Sequence, residues 1–379
     1  MSLGPRALFR YCVGMHHVMG DLRLGRMAIR YSQFVPRLYN YCRSLGFRRD
    51  RMMPSRAFCS DESQGYPVIL IAQHFGTFPF DHGQVGGRVA TDRHGPHAHH
   101  GEDLVIIQAS HVGYDVDGRR FGVYPRPRTD HGGFGANCGK LSAVLDWYRT
   151  EYAHARNDIR LGSVDGMPTV FIDNALLDPN RTEGLFPRLD RLIDAARPDP
   201  LRMLSTSKAF AAAPSLARGG GGPGPIGDLL TADLFFFRRQ PVIGPEGHDL
   251  LEDALAPAMP TVVTSPNPAL DAARYHTQIE FDRTYRTMQR EPAYHGKNVL
   301  FVSGLNVDVA PRDGLLFPLT KFVPWAAYAR LRDGTHFLLE QDALFEALAR
   351  QSIENADQVS FDATITTMAE VEGIELPSV

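Results

Sequence analysis

Short apolar runs rich in β-branched residues recur along this chain, each bounded by glycine, proline or polar residues. Such runs are typical of strands buried on both faces of a parallel sheet, where no polar alternation is needed. Between them lie segments with apolar residues at three- and four-residue steps, which predict helices. The alternation favours an α/β fold with a mostly parallel sheet. Strands are predicted at residues 68–72, 104–109, 169–172, 234–237 and 299–302.

Helical segments are predicted before, between and after these strands. Residues 22–48 have helical spacing with an interruption at Pro36. Another helix is expected to start near Asn137, because asparagine is a good N-cap residue. Shorter helices are predicted over residues 189–196 and 343–353.

The domain outline follows from these elements. The 379 residues suffice for two or three domain-sized units or for one large α/β domain with additions. Residues 1–50 are expected to form a helical N-terminal segment and residues 51–379 a single α/β domain. A Gly/Pro tract at residues 218–227 is expected to be a flexible loop. Its last six residues fit G-x-G-x-x-G, but no predicted strand precedes them, so a dinucleotide site is not expected.

The composition argues against several classes of partner. Lys and Arg number 40 against 43 Asp and Glu, a formal net charge of -3, so nucleic acid and anionic membranes are not expected partners. No apolar run reaches the roughly 18–20 residues of a membrane span. Four cysteines are too few for a disulfide framework and favour a reducing, cytoplasmic location. The Arg-rich N-terminus favours an amphipathic helix over a transit peptide.

Three fragments carry residues suited to a metal. Cys59 and Asp61 stand two residues apart in C-S-D-E, so both can point into one cleft where a strand ends. His111 follows the predicted strand 104–109, at the sheet edge where open α/β folds bind ligands. Cys138 lies at a predicted helix start, where the positive end of the helix dipole favours a thiolate.

Taken singly, each fragment also fits an ordinary role, such as a buried thiol or a hydrogen-bonded turn histidine. Together, two cysteines and one histidine supply three ligands, the number that catalytic zinc sites use while one position stays open. Zinc lowers the pKa of a bound water to about 7 and so supplies hydroxide at neutral pH. Asp61 stands beside one ligand and is expected to accept a hydrogen bond from that water.

The order of these fragments resembles the limiting-CO2-inducible protein B/C family, whose members are carbonic anhydrases related in fold to the β class. The resemblance covers roughly residues 55–155. The matching stretches are C-S-D-E at residues 59–62, F-P-F at residues 78–80, H-V-G-Y-D at residues 111–115 and C-G at residues 138–139.

This resemblance implies a zinc ion carried by Cys59, His111 and Cys138, with Asp61 as the aspartate of an Asp–Arg dyad. It further implies a three-layer α/β/α sandwich and a homodimer with active sites near the subunit interface. The implied activity is the reversible hydration of CO2 to bicarbonate, a carbon–oxygen lyase reaction. Phe78 and Phe80 are candidate walls of the CO2 pocket.

One departure from the family pattern concerns the arginine of the dyad. The β-class pattern has arginine two residues after the aspartate, where this chain has Ser63. No arginine follows Asp61 until Arg88, so Arg88 is the predicted dyad partner and Arg56 the upstream alternative. If neither serves, the dyad is absent and Asp61 is free to ligate zinc.

Two other functions therefore stay open. One is a catalytically silent zinc-binding protein with a structural or regulatory role in inorganic-carbon handling. The other is hydrolysis of a CO2-like molecule, such as carbonyl sulfide or carbon disulfide.

The remaining histidines suggest two further roles. The histidines at positions 94, 97, 99 and 100 could form a second metal site, but a solvated loop is the favoured interpretation. His74, His82 and His131 are candidates for carrying protons between the zinc site and solvent.

Overall fold

The computed structural model of the chain divides into two compact units. The first contains the described residues of 120–122 and 139–276, and the second those of 19–119, 123–138 and 277–373. The residues described are 19–84, 88–89, 103–125, 134–136, 138–217, 223–240, 243–244, 247–248, 250–309, 318–370 and 373.

A central sheet organises the second unit. Its strands follow the order β1-β6-β5-β4-β2-β3, and β7 also pairs with β6. The strands are β1 (Ile29–Arg30), β2 (Met52–Ala57), β3 (Phe80–Asp81), β4 (Asp103–Asp115), β5 (Asn298–Val309), β6 (Leu319–Arg330) and β7 (His336–Leu339).

The middle of this sheet is parallel. Strands β5, β4, β2 and β3 run in one direction, while β6 is antiparallel to β5, β1 and β7. Strands β4 and β5 are buried along nearly their whole length, as expected for strands covered on both faces. The predicted α/β sandwich with a mostly parallel central sheet is confirmed.

Helices cover both faces of this sheet. On one face, helices α1, α2 and α4 share an apolar core with β4 and β5, as shown by Phe34, Ile71, Val105, Val302 and Leu344. On the other face, Phe281 of α3 stacks on Phe301 with ring centroids 5.1 Å apart. The helices are α1 (Tyr31–Ser44), α2 (Gly65–Phe75), α3 (Pro268–Arg290), α4 (Gln341–Ala349) and α5 (Phe361–Glu370).

The second unit also contains shorter strands, at Gly83–Gln84, Arg88–Val89, Val123–Pro125 and Phe134–Ala136. The first unit has its own antiparallel sheet, which includes Ile159–Val164 and Met167–Asp173. Arg202–Met203, Ser207–Ala211 and Gly224–Pro225 complete this sheet. The first unit also contains strands at Arg120–Phe121, Gly184–Pro187, Phe235–Arg238, Ile243–Gly244 and Gly247–His248. Its helices are Gly139–Asp158, Leu189–Leu192, Pro214–Ala217, Leu250–Leu255 and Met259–Val263.

The prediction of a strand at residues 68–72 is wrong, because these residues belong to helix α2. Most of this helix is apolar, which hides the helical period that separates a buried helix from a buried strand. Two signals of a helix flank the run. Pro67 lies in the first turn, where a missing N–H costs nothing, and Gly76 ends the helix with a left-handed φ of 73°.

Several predicted elements differ from the observed ones in extent. Helix α1 continues through Pro36, which lies in its N-terminal half. The strand predicted at residues 104–109 extends to Asp115, so His111 lies inside it rather than after it. The helix predicted over 189–196 is only Leu189–Leu192.

Three of the remaining predicted strands and one helix agree with the structure. Strands occur at 169–172 and 234–237 with small shifts, the strand predicted at 299–302 extends over Asn298–Val309, and α4 occupies most of residues 343–353. Of the predicted helical residues 22–48, only Tyr31–Ser44 form α1, and Ile29–Arg30 form β1. Of the tract 218–227, residues 218–222 lie outside the described part, while Gly224–Pro225 pairs with Ile159–Val164. Asn137 also lies outside it. No helix among the described residues is long and apolar enough to cross a membrane.

Candidate metal centre

Cys59, His111 and Cys138 come together in the second unit, as the sequence predicts. Their three candidate ligand atoms all lie within 4.8 Å of one another, and all three residues are buried. No other group of this kind occurs among the described residues. Two sulfur donors and one imidazole are a donor set suited to zinc.

Parallel strand pairing explains why Cys59 meets His111. Strand β2 pairs with β4 from Met52 opposite Asp103 to Ala57 opposite Gln108, and both strands run the same way. Cys59 lies two residues after Ala57, the last residue of β2, and His111 lies just beyond the part of β4 that pairs with β2. Both side chains therefore reach the same edge of the sheet, at the carboxyl ends of these strands.

The backbone of Cys138 is unusual for a residue with a side chain. Cys138 immediately precedes the helix Gly139–Asp158 and has a φ of 59°, in the left-handed region. This conformation is unfavourable for residues other than glycine and costs roughly 1–2 kcal/mol. Glycine adopts this backbone conformation at a lower free-energy cost. The presence of a cysteine therefore indicates that its sulfur is needed at this position.

His111 presents one nitrogen to the cysteines and the other to a carboxylate. Its Nδ1 lies 2.9 Å from Asp308 Oδ2, and both side chains are fully buried. Its Nε2 is buried as well. Donation from Nδ1 to Asp308 leaves a lone pair on Nε2, which is the tautomer that binds a metal. The three residues thus fit a zinc ion.

Burial alone would lower the pKa of His111. Hydrogen bonds to Asp308 and Cys59, together with their negative charges, instead raise the pKa of His111 to about 10. Without a metal, a proton is therefore held between the imidazole and these acceptors. A metal would displace that proton, since ligands must be deprotonated to bind.

Asp308 accepts from several donors besides His111. Ser63 Oγ donates to Asp308 Oδ2 at 3.0 Å, and Thr320 Oγ1 donates to Oδ1 at 2.8 Å. The amide nitrogen of Gln64 lies 2.9 Å and 3.1 Å from the two carboxylate oxygens. Every one of these neighbours can donate, so the carboxylate acts as an acceptor towards all of them.

This network continues away from the cysteines to helix α1. Asn306 Nδ2 donates to Gln64 Oε1 at 2.6 Å, and Tyr31 donates its hydroxyl hydrogen to Asn306 Oδ1 at 2.7 Å. All three side chains are buried. The donors and acceptors form a continuous chain from Tyr31 through Asn306, Gln64 and Asp308 to His111.

The same face of the sheet changes from apolar to polar along the strands. On β4, Ile107 and Ala109 precede His111 at two-residue steps, and on β5 Val302 lies on the same face as Asn306 and Asp308. Asn306 pairs directly with His111 across the two strands. The polar network is therefore an extension of the apolar core beneath α1 and α2.

Sequence reasoning missed Gln64, Asn306, Asp308 and Thr320. A signal for two of them is present in N-V-D-V at residues 306–309, where polar residues alternate with valines inside an apolar run. A buried strand that carries Asn and Asp at alternate positions must pair them with polar partners. The sequence does not show which partners those are.

Asp61 lies half-buried just after Cys59, and its Oδ1 accepts a 3.1 Å hydrogen bond from the backbone N–H of Ser63. Arg56 forms its ion pair with Asp81, with atoms 2.5 Å apart, on the neighbouring strand β3. One guanidinium can pair with two carboxylates, so the alternative in which Arg56 serves Asp61 stays a prediction. Arg88 lies on the strand Arg88–Val89, and its role as dyad partner stays a prediction.

The proposed proton carriers are not equally suited to that role. Burial lowers the pKa of His82 to about 3, so this side chain is neutral at physiological pH and does not exchange protons readily there. Burial also lowers the pKa of His74. His131 and the histidines at 94, 97, 99 and 100 lie outside the described residues.

The two candidate pocket walls lie near the surface. Phe78 is 62% exposed and contacts Phe361 edge-on, with ring centroids 5.9 Å apart. Phe80 is half-buried and stacks on His82. The role of Phe78 as a pocket wall stays a prediction.

Comparison with known proteins gives likenesses in fold only. No family model matches this sequence, and no curated protein matches it. A crystal structure of PtLCIB4, a homolog of the limiting CO2-inducible protein LCIB, is similar to this chain with a TM-score of 0.48. The two sequences are 13% identical, and the match covers 87% of this chain and 98% of that chain. A crystal structure of limiting CO2-inducible protein LCIB is 12% identical, with 84% and 96% covered and a TM-score of 0.44. TM-scores below 0.5 do not establish membership of a family.

Proposed function

We propose that this chain is a zinc carbonic anhydrase of the limiting-CO2-inducible B/C type, which hydrates CO2 reversibly to bicarbonate. The observation that carries the proposal is the convergence of Cys59, His111 and Cys138 in one buried cluster. Its support from sequence is the ordered motif pattern that includes C-S-D-E and H-V-G-Y-D. The proposed protein is a cytoplasmic homodimer that acts on CO2 and bicarbonate.

The number of protein ligands indicates a catalytic type of zinc site. Three protein ligands leave one position for a small molecule, as in catalytic sites, whereas structural sites use four. A bound zinc ion supplies a Lewis acid that generates hydroxide at neutral pH. Cys59, His111 and Cys138 would hold the ion, and Asp308 orients the ring of His111.

Asp61 is the proposed group that accepts a hydrogen bond from the attacking water. It follows Cys59 by two residues, and its Oδ1 already accepts from the N–H of Ser63, which restrains the carboxylate. Arg88 is the proposed partner that keeps Asp61 away from the metal. In this assignment Asp61 orients the nucleophile and does not ligate zinc.

A second candidate function is a zinc protein without turnover, in a structural or regulatory role in inorganic-carbon handling. The observation that favours it is the burial and hydrogen bonding of Ser63, which occupies the position where the β-class pattern has arginine. Ser63 is fully buried and hydrogen bonded to Asp308, so this position carries no guanidinium for Asp61. Hydrolysis of carbonyl sulfide or carbon disulfide is the corresponding alternative with a different substrate.

The test combines zinc content with CO2 hydration, measured by stopped flow with a pH indicator. The wild-type protein is expected to hold about one zinc per chain, as a three-ligand site requires, and to hydrate CO2 well above the buffer rate. His111→Ala is expected to lose zinc and turnover together. Cys42→Ala is the matched control, because Cys42 is a buried cysteine in α1 outside the cluster.

The outcomes separate the candidates. Zinc retained with full turnover in His111→Ala contradicts the assignment of the site. A wild-type protein that holds zinc but does not hydrate CO2 contradicts the carbonic anhydrase proposal and favours the silent zinc protein. In that case hydrolysis of carbonyl sulfide and carbon disulfide is measured next.

A further inference from the structure

We propose that Asp308 is a positioning residue that makes His111 competent to bind the metal, and that Gln64 and Thr320 hold Asp308 for this role. The inference rests on the zinc site of the proposed function but not on its turnover. It concerns residues that belong to none of the motifs by which the site is recognised in the sequence.

His111 has two ring nitrogens, and only one can face Cys59 and Cys138. The 2.9 Å hydrogen bond from Nδ1 to Asp308 fixes the ring so that Nε2 faces the cysteines. A histidine ligand whose second nitrogen donates to a carboxylate is fixed in tautomer and orientation, and its basicity as a ligand rises.

Burying the Asp308 carboxylate beside His111 has a desolvation cost. Its side chain is 0% exposed, and an isolated carboxylate at that depth is strongly unfavourable. Donors from Ser63, Gln64 and Thr320 compensate for the lost water. Four donor side chains converging on one buried carboxylate are more than packing requires, so they indicate a role for its charge.

The amide group of Gln64 has a defined orientation. A glutamine amide can face either way, and only the NH2 group can donate to Asp308. Asn306 donates to Gln64 Oε1, and Tyr31 in turn donates to Asn306 Oδ1. The carboxylate of Asp308 accepts and therefore requires the NH2 group of Gln64, and the hydrogen bonds from Asn306 and Tyr31 hold Gln64 in that orientation.

The test is the zinc affinity of Asp308→Asn, measured by competition with a chelator of known affinity. The variant keeps the size of the side chain but removes its charge. Zinc affinity is expected to fall roughly 10- to 100-fold, the range found when a group that supports a metal-bound histidine is removed. Cobalt(II) added in place of zinc should show a changed visible spectrum, because a loosened imidazole alters the ligand field.

The matched control is Asp103→Asn. Asp103 begins β4, the strand that carries His111, and it is equally buried, but its partners are Arg48 and Arg332. Its loss is expected to reduce stability while leaving zinc affinity and the cobalt spectrum unchanged. Equal losses of zinc affinity in the two variants would show a general effect of removing a buried charge and would overturn the proposal.

A second variant covers the case in which Asp308→Asn does not fold. Thr320→Val removes one donor to Asp308 Oδ1 while it preserves side-chain shape and does not touch His111. Zinc affinity is expected to fall several-fold, and an unchanged affinity would overturn the proposal. CO2 hydration by the wild-type protein is measured in parallel. Wild-type zinc binding without turnover rejects the enzyme but not the role of Asp308, whereas unchanged affinity in Asp308→Asn beside normal wild-type turnover rejects the role alone.

Discussion

Tyr31 on helix α1 donates a 2.7 Å hydrogen bond to Asn306 in the central sheet, although 275 residues separate them in the chain. The ring of Tyr31 packs edge-on against Phe34, Phe58 and Phe322. The aromatic ring therefore belongs to the apolar core, while its hydroxyl group begins the polar network that ends at His111.

Tyr31→Phe tests whether that network reaches the metal. The change keeps the ring and leaves Asn306 Oδ1 without its donor, at a cost of about 1–3 kcal/mol in the free energy of unfolding. Tyr39→Phe is the control on the same helix, since its hydroxyl donates to Asp357 at 2.6 Å. We expect both variants to lose stability in chemical denaturation, but only Tyr31→Phe to lose zinc affinity. Equal zinc affinities of Tyr31→Phe and Tyr39→Phe would show that the hydroxyl group of Tyr31 does not affect the candidate metal site.

Substitutions at Cys138 test the strain in its backbone. Cys138→Gly and Cys138→Ala both remove the sulfur, so both are expected to lose zinc. With a φ of 59°, glycine should be better tolerated than alanine, and the zinc-free Gly variant should be more stable by about 1–2 kcal/mol. At Cys42, inside helix α1, the order should reverse by about 1 kcal/mol in favour of alanine. Denaturation of the four zinc-free variants measures both differences, and the same order at both positions would refute the strain.

Gly83→Ala is expected to displace the backbone of Phe58, which directly precedes the candidate metal ligand Cys59. A Cβ at Gly83 would collide with the Phe58 carbonyl oxygen and would lie 2.7 Å from the Phe58 nitrogen. Because backbone atoms cannot swing aside, we expect a loss of about 1–3 kcal/mol in stability and a lower zinc content. Gly65→Ala is the control, since nothing lies within 4 Å of its Cβ position. Thermal unfolding and metal analysis measure both effects, and matching results for the two variants would speak against the close contact.

His82 predicts a loss of stability on acidification. Burial, with Arg56 and Arg283 nearby, lowers the pKa of His82 to about 3, while the unfolded chain binds the proton near pH 6.5. The stabilising contribution is therefore complete above about pH 6.5 and declines towards pH 3, by up to about 1.4 kcal/mol per pH unit.

The measurement is the slope of the unfolding free energy between about pH 7 and 5. His82→Gln should be less stable at neutral pH, because Ser55 loses its 2.6 Å partner, but its slope should be shallower than that of the wild type. His336→Gln, at an exposed position, should leave the slope unchanged. A wild-type slope retained in His82→Gln would show that other groups cause the acid sensitivity.

The α/β class and the three candidate metal ligands were predictable from the sequence. Fold class follows from the alternation of apolar runs and helical segments, which is a local property of the chain. Cys59, His111 and Cys138 were recognisable because metal binding depends on residue type, and each lies at or near the end of a strand or the start of a helix. The same local reasoning failed at residues 68–72, since a short continuous apolar run has the same composition in a helix as in a strand and shows no period of its own. Only the structure shows that Ile69 in this run is 47% exposed, on the open face of α2.

The surroundings of the ligands were decided by tertiary structure. His111 and Asp308 lie 197 residues apart in sequence, and Gln64 and Asp308 lie 244 apart. These residues meet only because β5 pairs with β4 in a register that sets Asn306 opposite His111, and because α2 starts beneath them. Residue type alone determines which atoms can bind a metal, whereas the register of paired strands determines which buried donors and acceptors surround it, since a buried polar group is stable only beside the partners that the fold supplies.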